Sequence, residues 1–241
     1  MANLIIDIGN TALKAAWADG VTLGKTFRYQ GERTVDFILS ITSKVKPAVM
    51  VISTVRELSA RSLTLLENEC DKLVVMAAGW SGCEETAGLP EYLAPDRMAS
   101  MVAARYLFKG KSCTVFDFGT MLTIDFLDAE GNYKGGNISP GCRTRFKSVN
   151  RYSKSLPLID TPDVTEQEGT SVVSSIGSGI IQGMMFEIDG YFRLHPENMS
   201  VFTGGDAIYF AKRMKNSIFV VCNLVLIGLA LIADGYDKRD S

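Results

Sequence analysis

The chain has 241 residues, 46% of them hydrophobic, which suits a large core in one big domain or two half-size ones. Its 25 Lys and Arg stand against 27 Asp and Glu, a formal net of -2, which excludes the basic footprint of a nucleic-acid binder. Five cysteines, an odd number with no CxxC pair, argue against a disulfide framework or a zinc site and for reduced, mostly buried thiols.

The first residues lack a basic stretch and a long apolar run, so they do not read as a signal peptide. Residues 4–6 form a short apolar strand ending at Asp7, and Gly9-Asn10-Thr11 supplies turn chemistry. Strands follow at 13–18 and 21–29, joined by an Asp19-Gly20 hairpin signal. Val35, Ile38, Leu39 and Val45 have helical spacing and predict a helix over 34–45. A buried strand at 48–53, a helix at 59–70 and a strand at 73–76 come next. Ala94-Pro95-Asp96-Arg97 opens a helical stretch over 98–108.

The same order then recurs. Residues 113–116 form an apolar strand ending at Asp117, Gly119-Thr120 is the turn, and 122–127 is the next strand. A turn at 128–132 leads through Tyr133 into Gly135-Gly136-Asn137-Ile138. A helix is expected over 171–191, a strand over 201–203, a helix over 206–214, a strand over 219–221 and a last helix over 224–233. The uncharged stretch 218–233, broken by Asn223 and Gly228, is short for a membrane span and reads as a buried strand and helix. No membrane and a cytoplasmic location are the expectation.

Strand, Asp-x-Gly-[Asn/Thr], strand, turn, strand thus occurs at Asp7 and again at Asp117. A single long-period echo predicts two like domains facing one cleft, not a solenoid. The expected domains are 1–111 and 112–241, with the linker near 108–112, where Lys-Gly-Lys-Ser interrupts the apolar pattern.

Each Asp-x-Gly loop has a use in holding phosphate. Glycine allows the backbone to approach an anion, and successive N–H groups form a nest for its oxygens. A carboxylate there needs a cation, or a cation-bound water, between itself and a phosphate. Asp7, Ile8, Gly9, Asn10 and Thr11 form the first loop, with Lys14 adding neutralising charge; Asp117, Gly119 and Thr120 form the second. A hairpin turn with an Asx contact accounts for either loop taken alone, but not for two in matching context. Thr203-Gly204-Gly205-Asp206 is a third glycine element, where a nucleoside could lie on Gly204-Gly205 or where Asp206 could simply cap a helix. Asp96 is either a first-turn carboxylate favoured by the helix dipole or the base that takes a proton from an attacking hydroxyl. Arg97 beside it can clamp a substrate carboxylate. His195, the one histidine, lies in a polar His-Pro-Glu-Asn segment and reads as a surface residue.

The whole series resembles type III pantothenate kinases. The matching segments are Asp7-Ile8-Gly9-Asn10-Thr11 with Lys14; Asp96-Arg97; Asp117-Phe118-Gly119-Thr120 with Thr123 and Asp125; Gly135 to Gly141; Ser155-Leu156-Pro157; Ser178-Gly179 with Gly183; Thr203 to Asp206; and Asn223 to Leu229. The resemblance implies an α/β fold of duplicated actin-like (ribonuclease H-like) domains, each a mixed sheet with flanking helices. It implies a homodimer that transfers the γ-phosphoryl of ATP to pantothenate. By that likeness Asp96 is the general base, and Ala94, Pro95, Asp96, Arg97 and Val172 line the pantothenate pocket. Asp7 to Thr11, Lys14, Gly119, Thr120, Gly204 and Gly205 bind ATP, and Asp7 holds Mg2+ through water. Asp117 binds the monovalent cation, K+ or NH4+. Three positions depart from the family's pattern: Ala94 stands for a glycine, Ala87 for a tyrosine and Val172 for a threonine. A kinase of the same fold for another small alcohol, a non-catalytic nucleotide-binding paralogue and a hydrolase are the competing expectations.

Overall fold

The computed structural model describes residues 2–77, 80 and 82–240. Cα packing divides the chain into two units, residues 1–109 with 223–241, and residues 110–222.

The first unit is built on β1 (Asn3–Ile8), β2 (Leu13–Asp19), β3 (Thr22–Tyr29), α1 (Thr34–Thr42), β4 (Val49–Thr54), α2 (Ala60–Asn68), β5 (Lys72–Met76) and α3 (Pro95–Leu107). The strand order is β3-β2-β1-β4-β5: an antiparallel meander followed by two parallel strands reached through helical crossovers. Every residue of β4 is buried, as expected of a parallel strand covered on both faces. Alternation along β1 sends Leu4, Ile6 and Ile8 into a core with Ile38 of α1 and Leu66 of α2. Ile5 and Asp7 therefore lie on the opposite face, and α7 (Leu224–Asp240) packs there with α3.

The second unit repeats this plan with β6 (Cys113–Phe118), β7 (Met121–Leu127), β8 (Tyr133–Pro140), α4 (Cys142–Tyr152), α5 (Val172–Leu194), β9 (Met199–Gly204), α6 (Ala207–Ala211) and β10 (Ile218–Val220). Its order, β8-β7-β6-β9-β10, matches that of the first sheet strand for strand. Phe116 and Phe118 enter a core with Phe146, Ile180, Ile181, Met184, Phe202 and Phe210. Asp117 lies between them in sequence and so takes the other face, as Asp7 does in the first sheet.

The differences from expectation are local. α7 packs on α3, β1 and β4, so residues 223–241 join the first unit, whereas 112–241 was expected to be one domain. Gly228 makes that close: a Cβ there would overlap the Ala99 carbonyl of α3. α1 stops at Thr42 rather than 45, because Val45 is exposed and Pro47 disfavours helix at the residue before it. α4 was not expected at all: it is mostly polar, and only Cys142 and Phe146, one turn apart, are buried. A 3-10 turn at Glu84–Thr86 was also missed. Cys70, Cys113 and Cys142 are buried free thiols, and burial pushes the first two up to about 11. Among the described residues no helix is long and apolar enough to cross a membrane.

Candidate active site

In the first unit, Asp7 sits at the end of β1 with Lys14 directly opposite on β2 and Ser53 beside it on β4. Ser53 is fully buried and its Oγ donates to Asp7 Oδ1 at 3.2 Å. The loop that follows is closed by the Gly9 N–H, which donates to the Ala12 carbonyl at 3.1 Å. The turn after β4 braces it. Val55 N–H donates to the Ile8 carbonyl at 3.5 Å, and Arg56 Nη2 donates to the Asn10 carbonyl at 2.6 Å. Thr54 Oγ1 in turn accepts from Arg56 N–H at 3.0 Å and donates to the Arg56 carbonyl at 2.9 Å, which fixes that turn. Asn10 and Thr11 are exposed, so the outer side of the loop is open to a ligand.

In the second unit, Asp117 has Thr123 opposite on β7 and Thr203 beside it on β9. Gly119 N–H donates to the Met121 carbonyl at 3.1 Å, closing a loop one residue shorter than the first. Asp206 N–H donates to the Phe118 carbonyl at 3.3 Å, as Val55 N–H does to the Ile8 carbonyl in the first unit but from one residue further along. The Thr120 carbonyl accepts from Gly141 N–H at 3.1 Å and from Thr144 Oγ1 at 2.6 Å. Gly204 has φ of +91°, and a Cβ there would stand 2.5 Å from Asp117 Oδ1 and 2.6 Å from Phe118 N. Glycine is required at this point for both conformation and space. Gly205 has no such constraint, its nearest approach being 3.9 Å to the Phe118 carbonyl. Asp206 stands at the N-cap of the short α6 but makes no side-chain cap bond. Its carboxyl is pushed above the ordinary range by burial.

Asp96 and Arg97 occupy the first turn of α3, after Pro95 at its first position. Ala94 holds the N-cap position and supplies no side-chain bond. Asp96 Oδ1 accepts from the Arg97 N–H at 2.9 Å, and Arg97 is nearly buried. α3 covers the sheet face that carries Asp7 and Ser53, so the fold sets Asp7, Lys14 and Asp96 within one unit. Asp117, Thr120, Gly204 and Gly205 are brought together in the other. Ala94 has φ of -61°, which any residue adopts, so the change from glycine costs no backbone strain. Ala87 closes the 3-10 turn, and its carbonyl accepts from Arg105 Nη1 of α3 at 3.0 Å. Val172 begins α5 and is 55% exposed, next to the Ser171–Ser174 capping box.

Sequence reasoning missed Ser53, Arg56, Gly141 and Thr144 as supports of the two loops. Ser53 carried a faint signal, a hydroxyl after four apolar residues of a buried strand. Among the described residues no group of three or more His, Cys, Asp or Glu could hold a metal ion. A lone carboxylate beside a phosphate loop is the donor set that suits Mg2+, which keeps its waters and takes the remaining ligands from substrate phosphates. Carboxylate and threonine oxygens around Asp117 are hard donors of the kind an alkali cation accepts.

The chain is similar to known proteins over its length. A family model described as type III pantothenate kinase matches residues 3–194. A type III pantothenate kinase from Phocaeicola vulgatus is 36% identical over 98% of this chain and 99% of its own. Among solved structures, the activator of 2-hydroxyisocaproyl-CoA dehydratase from Clostridium difficile, with bound ADPNP, superposes with a TM-score of 0.58 at 15% identity, covering 100% of this chain and 97% of that one. A ROK hexokinase from Thermus thermophilus does so with a TM-score of 0.55 at 13% identity, covering 99% and 100%. These two likenesses establish the actin/hexokinase-like fold, which the family resemblance had implied.

Proposed function

The chain belongs to the type III pantothenate kinase family, and from that membership we propose that it transfers the γ-phosphoryl group of ATP to the primary hydroxyl of pantothenate, the first step of coenzyme A synthesis. The observation that carries the chemistry is the loop repeated at Asp7 and Asp117, in the same register of two like sheets. Phosphoryl transfer needs little covalent help from a protein. It needs positioning, neutralisation of charge and a base for the incoming hydroxyl.

In this reading Asp7, Ile8, Gly9, Asn10, Thr11 and Lys14, with Gly119 and Thr120, bind the ATP phosphates through backbone N–H groups and the lysine charge. Gly204 and Gly205 bind the nucleoside. Asp96 accepts the proton of the pantothenate hydroxyl. It already accepts one backbone hydrogen bond from Arg97, which holds its orientation. Arg97 clamps the substrate carboxylate, and Ala94, Pro95 and Val172 line the acceptor pocket. Asp7 would hold Mg2+ through water and Asp117 would hold the monovalent cation, K+ or NH4+, and the chemistry supplied there would be neutralisation of the polyphosphate that the carboxylates would otherwise repel. Ser53, by donating to Asp7 Oδ1, helps to orient that carboxylate.

The homodimer belongs to the same proposal. A cytoplasmic location goes with it.

ADP release from ATP, with magnesium and potassium present, tests the function. Release that depends on pantothenate is expected. Release without any acceptor would replace the kinase by an ATPase, and no release with ATP still bound would replace the acceptor by another alcohol or leave a non-catalytic nucleotide binder.

A further inference from the structure

Asn10 and Thr120 are the same position of the repeat, three residues after Asp7 and Asp117. The carbonyl at each is tied by a side-chain donor from outside its hairpin. Arg56, from the turn after β4, donates to the Asn10 carbonyl at 2.6 Å. Thr144, from the first turn of α4, donates to the Thr120 carbonyl at 2.6 Å, beside the Gly141 N–H that donates to the same oxygen at 3.1 Å. The two donors differ in chemistry, in chain position and in the element that presents them. What the two units share is the tethered carbonyl.

A tethered carbonyl has a consequence for its neighbour. In a trans peptide the C=O and the following N–H point in opposite directions. Holding the Asn10 oxygen toward Arg56 therefore turns the Thr11 N–H the other way, and holding the Thr120 oxygen toward Thr144 does the same for the Met121 N–H. Glycine-containing turns can rotate a peptide plane at small cost, and a rotated plane would present an oxygen where a phosphate needs a donor. Donors fixed before the ligand arrives do not have to reorganise when it binds.

We propose that Arg56 and Thr144 are positioning residues for the ATP phosphates, each acting through one loop carbonyl to fix the direction of the next N–H. This rests on the reading of the loops as phosphate sites.

Affinity for ATP and ADP, measured by calorimetry alongside KM for pantothenate, tests it. Thr144→Val keeps the shape and removes the donor; Thr144→Ser keeps the donor. Arg56→Met is expected to weaken both nucleotides by about fivefold to tenfold, and Thr144→Val by about threefold to fivefold because the Gly141 N–H still holds the Thr120 carbonyl, with KM for pantothenate unchanged in both. Thr144→Ser is expected within about twofold of the parent. Unchanged nucleotide affinity in Thr144→Val overturns the proposal, and so does a Thr144→Ser protein as weak as Thr144→Val, because packing and not the hydrogen bond would then matter. A deficit of Arg56→Met that disappears at high salt would mean that Arg56 attracts phosphate by charge, which overturns the tether in the first unit. Should Thr144→Val fail to fold, the exposed Arg56 decides through Arg56→Met. Gly119→Val separates the underlying reading. A Cβ at Gly119 meets only ordinary contacts, nearest the Met121 carbonyl at 3.5 Å, so the added side chain starts without overlap, and a thermal melt of this variant checks that the fold stands. ATP bound normally by Gly119→Val removes the phosphate site itself; lost binding there, with normal affinity in Thr144→Val, removes only the tether.

Discussion

Two adjacent glycines should respond in opposite ways to the same added methyl. At Gly204 the backbone has φ of +91°, and a Cβ would lie 2.5 Å from Asp117 Oδ1, where real Cβ atoms essentially never come within 3.0 Å. The left-handed conformation costs an alanine about 1–3 kcal/mol. Relieving the crowding costs roughly 1–3 kcal/mol more, because the crowded neighbours include the Phe118 backbone, which has no rotamer to escape into. The sum is at least about 2 kcal/mol, which in a chain of this size lowers Tm by roughly 4 °C or more. The displaced atoms belong to the loop proposed as the second phosphate site, so kcat/KM for ATP should fall about tenfold as well. Gly205 has open space and ordinary φ, so Gly205→Ala should leave Tm unchanged or slightly raised. Its effect should be confined to nucleotide affinity. Thermal melts and ATP titrations of the two variants check this. Equal melting temperatures for the two variants would refute the role assigned to Gly204.

Asp96→Asn should lower kcat by about 10²–10⁴-fold while ATP affinity stays near that of the parent, measured by steady-state kinetics and nucleotide titration. Replacing potassium by sodium should depress turnover sharply, and indifference to the exchange would remove the monovalent cation from Asp117. Asp206→Asn should melt at higher temperature than the parent at neutral pH. Burial raises the folded-state pKa of Asp206, so the folded protein holds its proton more tightly than the unfolded chain does. Stability therefore falls as pH rises through that window, and the amide escapes the loss. The difference between variant and parent should disappear below the ordinary carboxylate range, and melts across pH would show whether it does.

The strands that end at Asp7 and Asp117 were legible because each is a short apolar run stopped by a carboxylate and a glycine, signals that sit side by side in the chain. The duplicated topology followed from their recurrence. What supports the loops was not legible, because it arrives from far along the chain. Ser53 meets Asp7 and Arg56 meets Asn10 across 46 residues, and Thr144 meets Thr120 across 24. α4 escaped notice because its buried face is two residues wide. α7 has a strong apolar signal, yet nothing local says which sheet it covers. The chain leaves the first unit near Lys109 and returns at Asn223, a path that only packing reveals.

The three departures from the family's pattern fall, on the proposed roles, on the acceptor side. Ala94 keeps an ordinary extended backbone ahead of Pro95, so a methyl in place of hydrogen changes the pocket's wall and not its frame. Ala87 removes a phenol from a turn whose carbonyl Arg105 still holds, so the main chain there does not depend on the lost ring. At Val172 a hydroxyl is missing from the first position of α5, but Ser171 and Ser174 cap that helix without it, and Thr170 stands two residues before it, its N–H bound to Ser174 Oγ. The scaffold of the acceptor side is therefore preserved at all three places, while two hydroxyls that could have met a substrate are gone. Each such hydrogen bond contributes roughly 0.5–1.5 kcal/mol net, a few-fold in affinity and far less than the general base contributes to the rate. On the proposed roles, the changes bear on how tightly the acceptor is held, whereas Asp96 and the two tethered loops bear on whether phosphoryl transfer occurs.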